Sequence, residues 1–465
     1  MSQDFRLSAA SVLLAVLMFL GAIYPALAES RVFGTPPVKA HGPKNIIIMI
    51  SDGCGPNQIL ATDYYTYGQA GAQSYEQFPV QLHMSTYSLG QPGTEDDRNG
   101  IYDPASMWSD FGWINKNATD SAASATAMAT GIKTYDAAIG VDSSGNALKS
   151  ITEEFEEHGK ATGVVSSVPF SHATPASFVA HNKNRKSFRR IAVEMIRDST
   201  VDVIMGGGNP LFDKSGDTVT DPSDLDYRYV GGEVIWKALT GDGIGADADR
   251  DGIGDPWTLI QTKEDFESLQ TGDTPKRVIG IPQVFETLQQ GRSGSTTAAA
   301  FQVPYISTVP TLEIMARGAL NVLDSDPDGF FLMVEGGAID WANHSNQSGR
   351  MIEEETDFNN TVTAVCSWVE ENSSWDETLL IVTGDHESGC LTGTSGVFDA
   401  VVNNGKGNMP GMTWNSVFHT NQLIPLFAKG ADAQELVRYA DQTDPILGPY
   451  LDNTEIAVSI RSMIE

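Results

Sequence analysis

The sequence predicts an α/β protein with a large, mostly parallel central sheet and helices on both faces. Three observations carry this expectation. Short runs rich in Ile, Val and Leu recur from Lys44 onward, and they are apolar at consecutive rather than alternate positions, as in strands buried on both sides. Patterns of period 3.6 follow most of these runs, as helices between parallel strands require. The chain has 465 residues, 41% hydrophobic and 19% charged, enough to bury a deep core; disorder, coiled coil, collagen and a multispan membrane protein are excluded.

Taken in order, residues 1–28 read as a secretory signal. Arg6 precedes an apolar run over 12–22, and Ala26, Leu27 and Ala28 supply the small residues of a cleavage site. The run is shorter than the roughly 20 residues that span a bilayer, so a secreted or periplasmic protein without a stable membrane anchor is expected. Residues 29–465 then form a single domain. Its clearest strands are 45–50, 162–166, 201–205, 329–334, 378–383 and 425–428, and its clearest helices 185–197, 351–371 and 452–464. Residues 209–256 break the alternation, being rich in Asp and Gly, and read as an acidic insertion. Within it Asp247, Asp249, Asp251, Gly252 and Asp255 alternate as calcium loops do, but Thr258 stands where an EF-hand carries a bidentate Glu. The loop therefore reads equally as a calcium site or as a solvated acidic turn.

Acidic residues outnumber basic ones 60 to 29, a net charge of −31, so no groove for nucleic acid is expected. The cysteines, Cys54, Cys366 and Cys390, lack the paired spacing of a zinc-thiolate site, and Cys54 reads as a small packing residue.

Chemistry gathers just past the predicted strand ends, where open α/β sheets bind ligands. Asp52 follows IIIMIS, Glu335 and Asp340 follow FFLMV within VEGGAIDWANH, and Asp385 and His386 follow LLIVTG. His344 lies one helical turn beyond Asp340, close enough to share a metal. Singly, each acid is more simply a helix cap; together they point to a metal-binding rim. The nucleophile candidate is Ser121 in TDSAASATAMATG, at the positive end of a helix that starts after Asp120. An isolated Asp-Ser pair is ordinarily an N-cap, yet Ala122, Ala123 and Ser124 leave room for a bulky anion.

In this order NIIIMISDGCG, TDSAASATA, SHATPASFVAHNKNR, VEGGAIDWANH, TGDHE and FHTN span about residues 44–430, and the chain resembles the alkaline phosphatase family. The resemblance implies that family's three-layer sandwich and a catalytic domain that cleaves phosphate monoesters through a phosphoserine. It implies one zinc on Asp340, His344 and His419, a second on Asp52, Asp385 and His386, and a third metal, usually magnesium, on Asp52, Glu335 and Thr174. Two zincs about 4 Å apart would hold the attacking and leaving oxygens of an in-line displacement. Ser121 would be the nucleophile, and Arg185 would grip two phosphate oxygens through its planar fork. Three divalent ions and Arg185 outweigh the charge of Asp52, Glu335, Asp340 and Asp385, so the site is locally positive within an acidic protein. The match departs from the enteric bacterial type at His172 and Trp341, where that type carries Asp and Lys. His172 would then ligate or border the third metal, opening that site to zinc or cobalt, and Trp341 would form a wall beside the phosphate. Rival readings are a diesterase or sulfatase of the same superfamily, and a noncatalytic surface protein that binds calcium or phosphate. The family is usually dimeric, but the short segment between His386 and His419 leaves no room for a large crown insertion, and the natural substrate has no readable code.

Overall fold

The computed structural model describes residues 42–464 other than 91–101, 242 and 249–251. The expected signal at 1–28, and Asp249 and Asp251 of the acidic loop, lie outside the described residues. In chain order the sheet contains β1 (Asn45–Ser51), β2 (Val80–Ser85), β3 (Ala161–Pro169), β4 (Val203–Gly207), β5 (Thr258–Ile260), β6 (Val278–Gly280), β7 (Phe330–Gly336) and β8 (Thr378–Thr383). Strands Ile424–Gly430, Gln442–Asp444 and Gly448–Asp452 complete an eleven-stranded sheet among the described residues. From one edge the order is Gln442–Asp444, Gly448–Asp452, β2, Ile424–Gly430, β8, β1, β7, β3, β4, β6, β5.

The central strands are continuously apolar because each face meets its own layer of helices. In β1, Ile46, Ile48 and Ile50 enter one core while Ile47 and Met49 enter the other. Phe331 and Met333 of β7 and Leu379 and Ile381 of β8 join the first; Leu332, Val334, Leu380 and Val382 join the second. Helices Ser121–Thr130 and Thr454–Ile464 fill the first core with Ala122, Met128, Ile456 and Ile460. Helices Leu312–Leu323 and Ser348–Asn372 fill the second with Met315, Leu320, Ile352 and Phe358.

Parallel pairing lines up the strand ends that matter. Ile50 is level with both Glu335 and Thr383, and Ser166 of β3 is level with Glu335, so the residues following β1, β7 and β8 emerge on one rim. Strand Ile424–Gly430 runs against its neighbours β2 and β8, with Leu426 level with Thr383. Its start therefore faces the same rim and brings the preceding residue His419 there.

Two expectations change in detail. The pattern at 185–197 begins as loop: the helix is Phe188–Val193, followed by a π-helical turn at Glu194–Asp198, so Arg185 precedes the helix. The stretch 209–256 is less devoid of regular structure than its composition suggests, for helix Glu233–Thr240 buries Trp236 and Leu239 against the first core.

Candidate active site

Ser121 is the first residue of the ten-residue helix Ser121–Thr130, which is buried along its whole length. Small side chains permit that burial, and Asp120 caps the helix by accepting from the Ala123 amide at 3.0 Å. The Ser121 Oγ lies 3.2 Å from His386 Nε2. His386 Nε2 is also 3.1 Å from Asp385 Oδ2 and 3.7 Å from Asp52 Oδ1. Asp385 is oriented by amides, its Oδ1 accepting from Gly53 at 3.1 Å and from His386 at 2.9 Å.

Beside this group, helix Ala338–His344 carries Asp340 and His344 one turn apart, with His344 Nε2 at 3.3 Å from Asp340 Oδ2. His419 Nε2 lies 3.6 Å from Asp340 Oδ1 and 3.0 Å from His344 Nε2. The rings of His386 and His419 stack at 3.6 Å and join the two groups. Donor atoms of Asp340, His386 and His419 fall within 4.8 Å of one another, as do those of Asp52, Asp385 and His386.

The donor set fits divalent cations. His344 Nδ1 faces the Val417 carbonyl at 2.6 Å and His419 Nδ1 faces the Thr119 carbonyl at 2.7 Å, so each ring carries its proton there. Their Nε2 lone pairs then point at each other, a contact that only a proton or a cation between them makes favourable. Asp52 Oδ1, Asp385 Oδ2, Glu335 Oε1 and Thr174 Oγ1 are buried with no hydrogen-bond partner. Orphaned buried acceptors in one place are costly for the protein alone and are what a metal satisfies. Imidazole nitrogens with carboxylates suit zinc, and the all-oxygen set of Asp52, Glu335 and Thr174 suits a harder ion.

Electrostatics agree. Burial, reinforced by Asp385, Asp340 and Glu335, pushes Asp52 well above the usual carboxylate range. Burial and Asp340 push Asp385 up to about 7, and burial raises Glu335. Asp340 goes the other way: burial opposes its charge, but the hydrogen bond and charge of His344, with His419 and His386, hold it well below the usual range. His344 is raised to about 9, burial notwithstanding, by its bond to Asp340. Burial and then His419 hold His386 well below an ordinary histidine.

Arg185 reaches the same rim, its Nη1 donating to Asp120 Oδ2 at 2.9 Å. The His172 ring stacks on Phe188 at 5.7 Å and lies 5.4 Å from Trp341; burial and then the Arg185 charge lower it to about 3, so it is neutral and free to act as a ligand. In the acidic loop, Asp255 accepts from Lys276 Nζ at 2.8 Å and from the Ala248 amide at 2.9 Å. Asp247 accepts from the Gly252 amide at 2.9 Å. An ammonium thus occupies one of the carboxylates expected to serve calcium.

Sequence reasoning passed over three polar residues of this site. Ser388 Oγ donates to Asp340 Oδ1 and stands 3.5 Å from His386 Nδ1. Ser166 donates to Glu335 Oε2. Asn343 donates to the Gly53 carbonyl at 2.9 Å and ties Asp340's helix to the turn after Asp52. Strand alternation from His386 to Ser388 was the available signal for the first; the other two depend on contacts between distant segments.

A family model described as alkaline phosphatase matches residues 43–409. The chain is 30% identical over 365 residues to alkaline phosphatase 3 of Bacillus subtilis (strain 168), covering 77% of this chain and 64% of that relative's length. It is 27% identical over 431 residues to the alkaline phosphatase of Escherichia coli (strain K12), covering 86% of this chain and 84% of that one. Among solved structures, the alkaline phosphatase from the Antarctic bacterium TAB5 superposes with a TM-score of 0.60 at 26% identity, covering 92% of this chain and 99% of that one. A variant of that enzyme with a histidine replaced by glutamate has Mg bound in its M3 site.

Proposed function

The chain belongs to the alkaline phosphatase family, and from that membership we propose that it hydrolyses phosphate monoesters through a phosphoserine on Ser121. The observation that carries the reading is the placement of the Ser121 hydroxyl at a helix N-terminus, 3.2 Å from His386, beside orphaned oxygens of Asp52 and Asp385. Asp340, His344 and His419 would hold one zinc, Asp52, Asp385 and His386 a second, and Asp52, Glu335 and Thr174 a third ion. Bound there, the ions would polarise the phosphoryl oxygens, favour the deprotonated Ser121 hydroxyl and stabilise the departing oxygen.

The chain's own residues supply the rest. Arg185, prealigned by Asp120, turns two guanidinium donors to nonbridging oxygens of the phosphate and fixes the phosphorus before Ser121 Oγ. Attack forms the Ser121 O–P bond as the ester P–O bond breaks, and the alcohol leaves carrying a proton from solvent. Water then cleaves the phosphoserine, returning a proton to Ser121 and releasing inorganic phosphate. The helix N-terminus favours negative charge at Oγ in both steps.

His172 and Trp341 bear on the third ion and on product. His172, a neutral imidazole beside the proposed third site, would disfavour magnesium in favour of zinc or cobalt; a relative's variant in which a histidine is replaced by glutamate has Mg bound in its M3 site. Export rests on the apolar run and small residues of 1–28; among the described residues no helix is long and apolar enough to cross a membrane. The deciding experiment pairs metal analysis with p-nitrophenyl phosphate and bis-p-nitrophenyl phosphate as substrates. Hydrolysis of the monoester with zinc present is expected; preference for the diester would favour the rival superfamily branch, and activity on neither would favour a binding protein.

A further inference from the structure

We propose that His181 is a positioning residue for Arg185, and that the charge on its ring sets how firmly phosphate is held; the inference rests on Arg185 as the phosphate clamp. Arg185 ends an irregular segment, 181–185, that lies against 137–140. Asn182 and Ile139 exchange two backbone hydrogen bonds of 2.8 Å, and the Arg185 amide donates to Ala137 O at 2.8 Å. Gly140, at φ 56°, makes the approach possible: a Cβ there would stand 2.3 Å from Ala180 O and 3.0 Å from His181 Cδ2.

His181 ties this segment to two others. Its backbone N–H and its ring Nδ1 both reach Glu194 Oε1, at 2.9 and 3.1 Å, and its Nε2 lies 2.8 Å from Leu148 O. A carboxylate and a carbonyl both accept, so the ring satisfies them together only as the imidazolium, donating from both nitrogens. Neutral imidazole has one N–H and must give up one partner. Glu194 is itself fixed, because it opens the π-helical turn in which the Ser199 amide reaches Glu194 O at 3.0 Å.

The groups facing the ring favour its positive charge. Glu153 Oε2 lies 3.7 Å from Nε2 and, with Glu194, supplies the negative charge acting on the ring; Glu156, which burial pushes up to about 7, and Asp198, paired with Arg197, also line the cavity of about 140 Å³ beside it. The nearby cations are engaged elsewhere, Lys149 with Glu157 and Arg197 with Asp198. Burial opposes protonation of His181, but the bond to Glu194 and the charges around it raise its pKa above the ordinary value. With a fifth of the side chain exposed, the ring can exchange its proton with solvent. As pH rises and the ring loses its charge, one of its two ring hydrogen bonds is given up and the anchor of 181–185 is weakened to the remaining ring bond and the backbone N–H on Glu194, so Arg185 is held less firmly.

The test uses the metal-loaded enzyme and compares wild type with His181→Gln, Glu194→Gln and Arg185→Ala, reading KM, kcat and competitive inhibition by inorganic phosphate across pH. His181→Gln is expected to raise KM and the phosphate inhibition constant about five- to tenfold while kcat stays within about twofold, since a misplaced clamp weakens holding. The wild-type inhibition constant should also step upward at the pH where His181 deprotonates, followed by its ring resonances, and both neutral variants should lack that step. A fall in kcat with KM unchanged, or a pH step that survives in His181→Gln, would overturn the inference. Should Arg185→Ala itself leave phosphate inhibition unchanged, the clamp reading fails first. Where Arg185→Ala weakens phosphate and His181→Gln does not, only the role of His181 falls.

Discussion

Two clusters of buried charge in this protein differ in who completes them. Near the start of helix Ser348–Asn372, Arg292 Nη2 meets Glu353 Oε2 at 2.7 Å, and its remaining donors reach the carbonyls of Pro304, Gln289 and Val303. Glu353 Oε1 accepts from the Phe301 amide at 2.6 Å, and Arg350 stands 3.7 Å from the same carboxylate. At the rim, by contrast, Asp52, Asp385 and Glu335 bury oxygens that nothing in the described chain satisfies. Glu354, adjacent to the first cluster, is a buried acid away from any histidine cluster: burial, and then the charge of Asp357, raises its pKa well above the ordinary value. Convergence of several such acids on histidines is what separates a candidate metal site from a single buried carboxyl.

The largest effect that could break this comparison is Ser121→Ala. It removes the hydroxyl proposed as the nucleophile and is expected to lower turnover by about three orders of magnitude or more with an unchanged circular dichroism spectrum. Activity within tenfold of wild type would end the role assigned to Ser121. Next, Glu353→Ala should cost about 3–5 kcal/mol in urea unfolding, because it strands Arg292 in the interior. Asp385→Asn in metal-free protein at pH 8 should cost nothing or raise the melting temperature, since it keeps an oxygen for the Gly53 and His386 amides while deleting a buried charge that burial and Asp340 disfavour. Equal losses in both variants would mean that the two clusters are alike.

A smaller effect is expected from pH. Glu355 lies behind the rim, where Ser51 donates to it at 2.6 Å, and burial pushes it up to about 7. A carboxyl raised in the folded state contributes stability that is fully present below about pH 4.3 and is lost as pH rises through 7. This contribution should therefore fall between about pH 4.3 and 7, and Glu355→Gln should flatten part of that slope in denaturant melts; an unchanged slope would show that Glu355 titrates normally. The smallest change concerns Trp341→Lys. If Trp341 borders the proposed phosphate site, an ammonium in its place should lower the phosphate inhibition constant about three- to tenfold, and no change would make Trp341 a passive wall.

Much of this was legible beforehand because burial on both faces writes itself as unbroken apolar runs. β1, β7 and β8 were placed within two residues, and the acids that follow them fell on one rim as the parallel register requires. The direction of strand Ile424–Gly430 was not legible, since side-chain burial reads the same in either direction. The π-helical turn at Glu194 and the Ser166–Glu335 bond were also out of reach, because each is decided by a contact between distant segments rather than by local periodicity. Composition misled at 209–256, where abundant Asp and Gly hid a helix anchored by Trp236 and Leu239.

The reversed strand also orders events in time. Ile424–Gly430 is seated between β8 and β2, so β2 has no hydrogen-bonded neighbour on that side until the chain beyond residue 424 has left the ribosome. His419, which precedes that strand, reaches the rim by the same late step. A growing polypeptide can collapse β1, β7 and β3 early, yet it lacks a full set of imidazoles for most of its synthesis. The same late segments supply Leu426, Leu451, Ile456 and Ile460 to the first core, so the full set of rim imidazoles and the completed core both wait for the end of translation, and a ribosome stalled before this point would release a chain with neither.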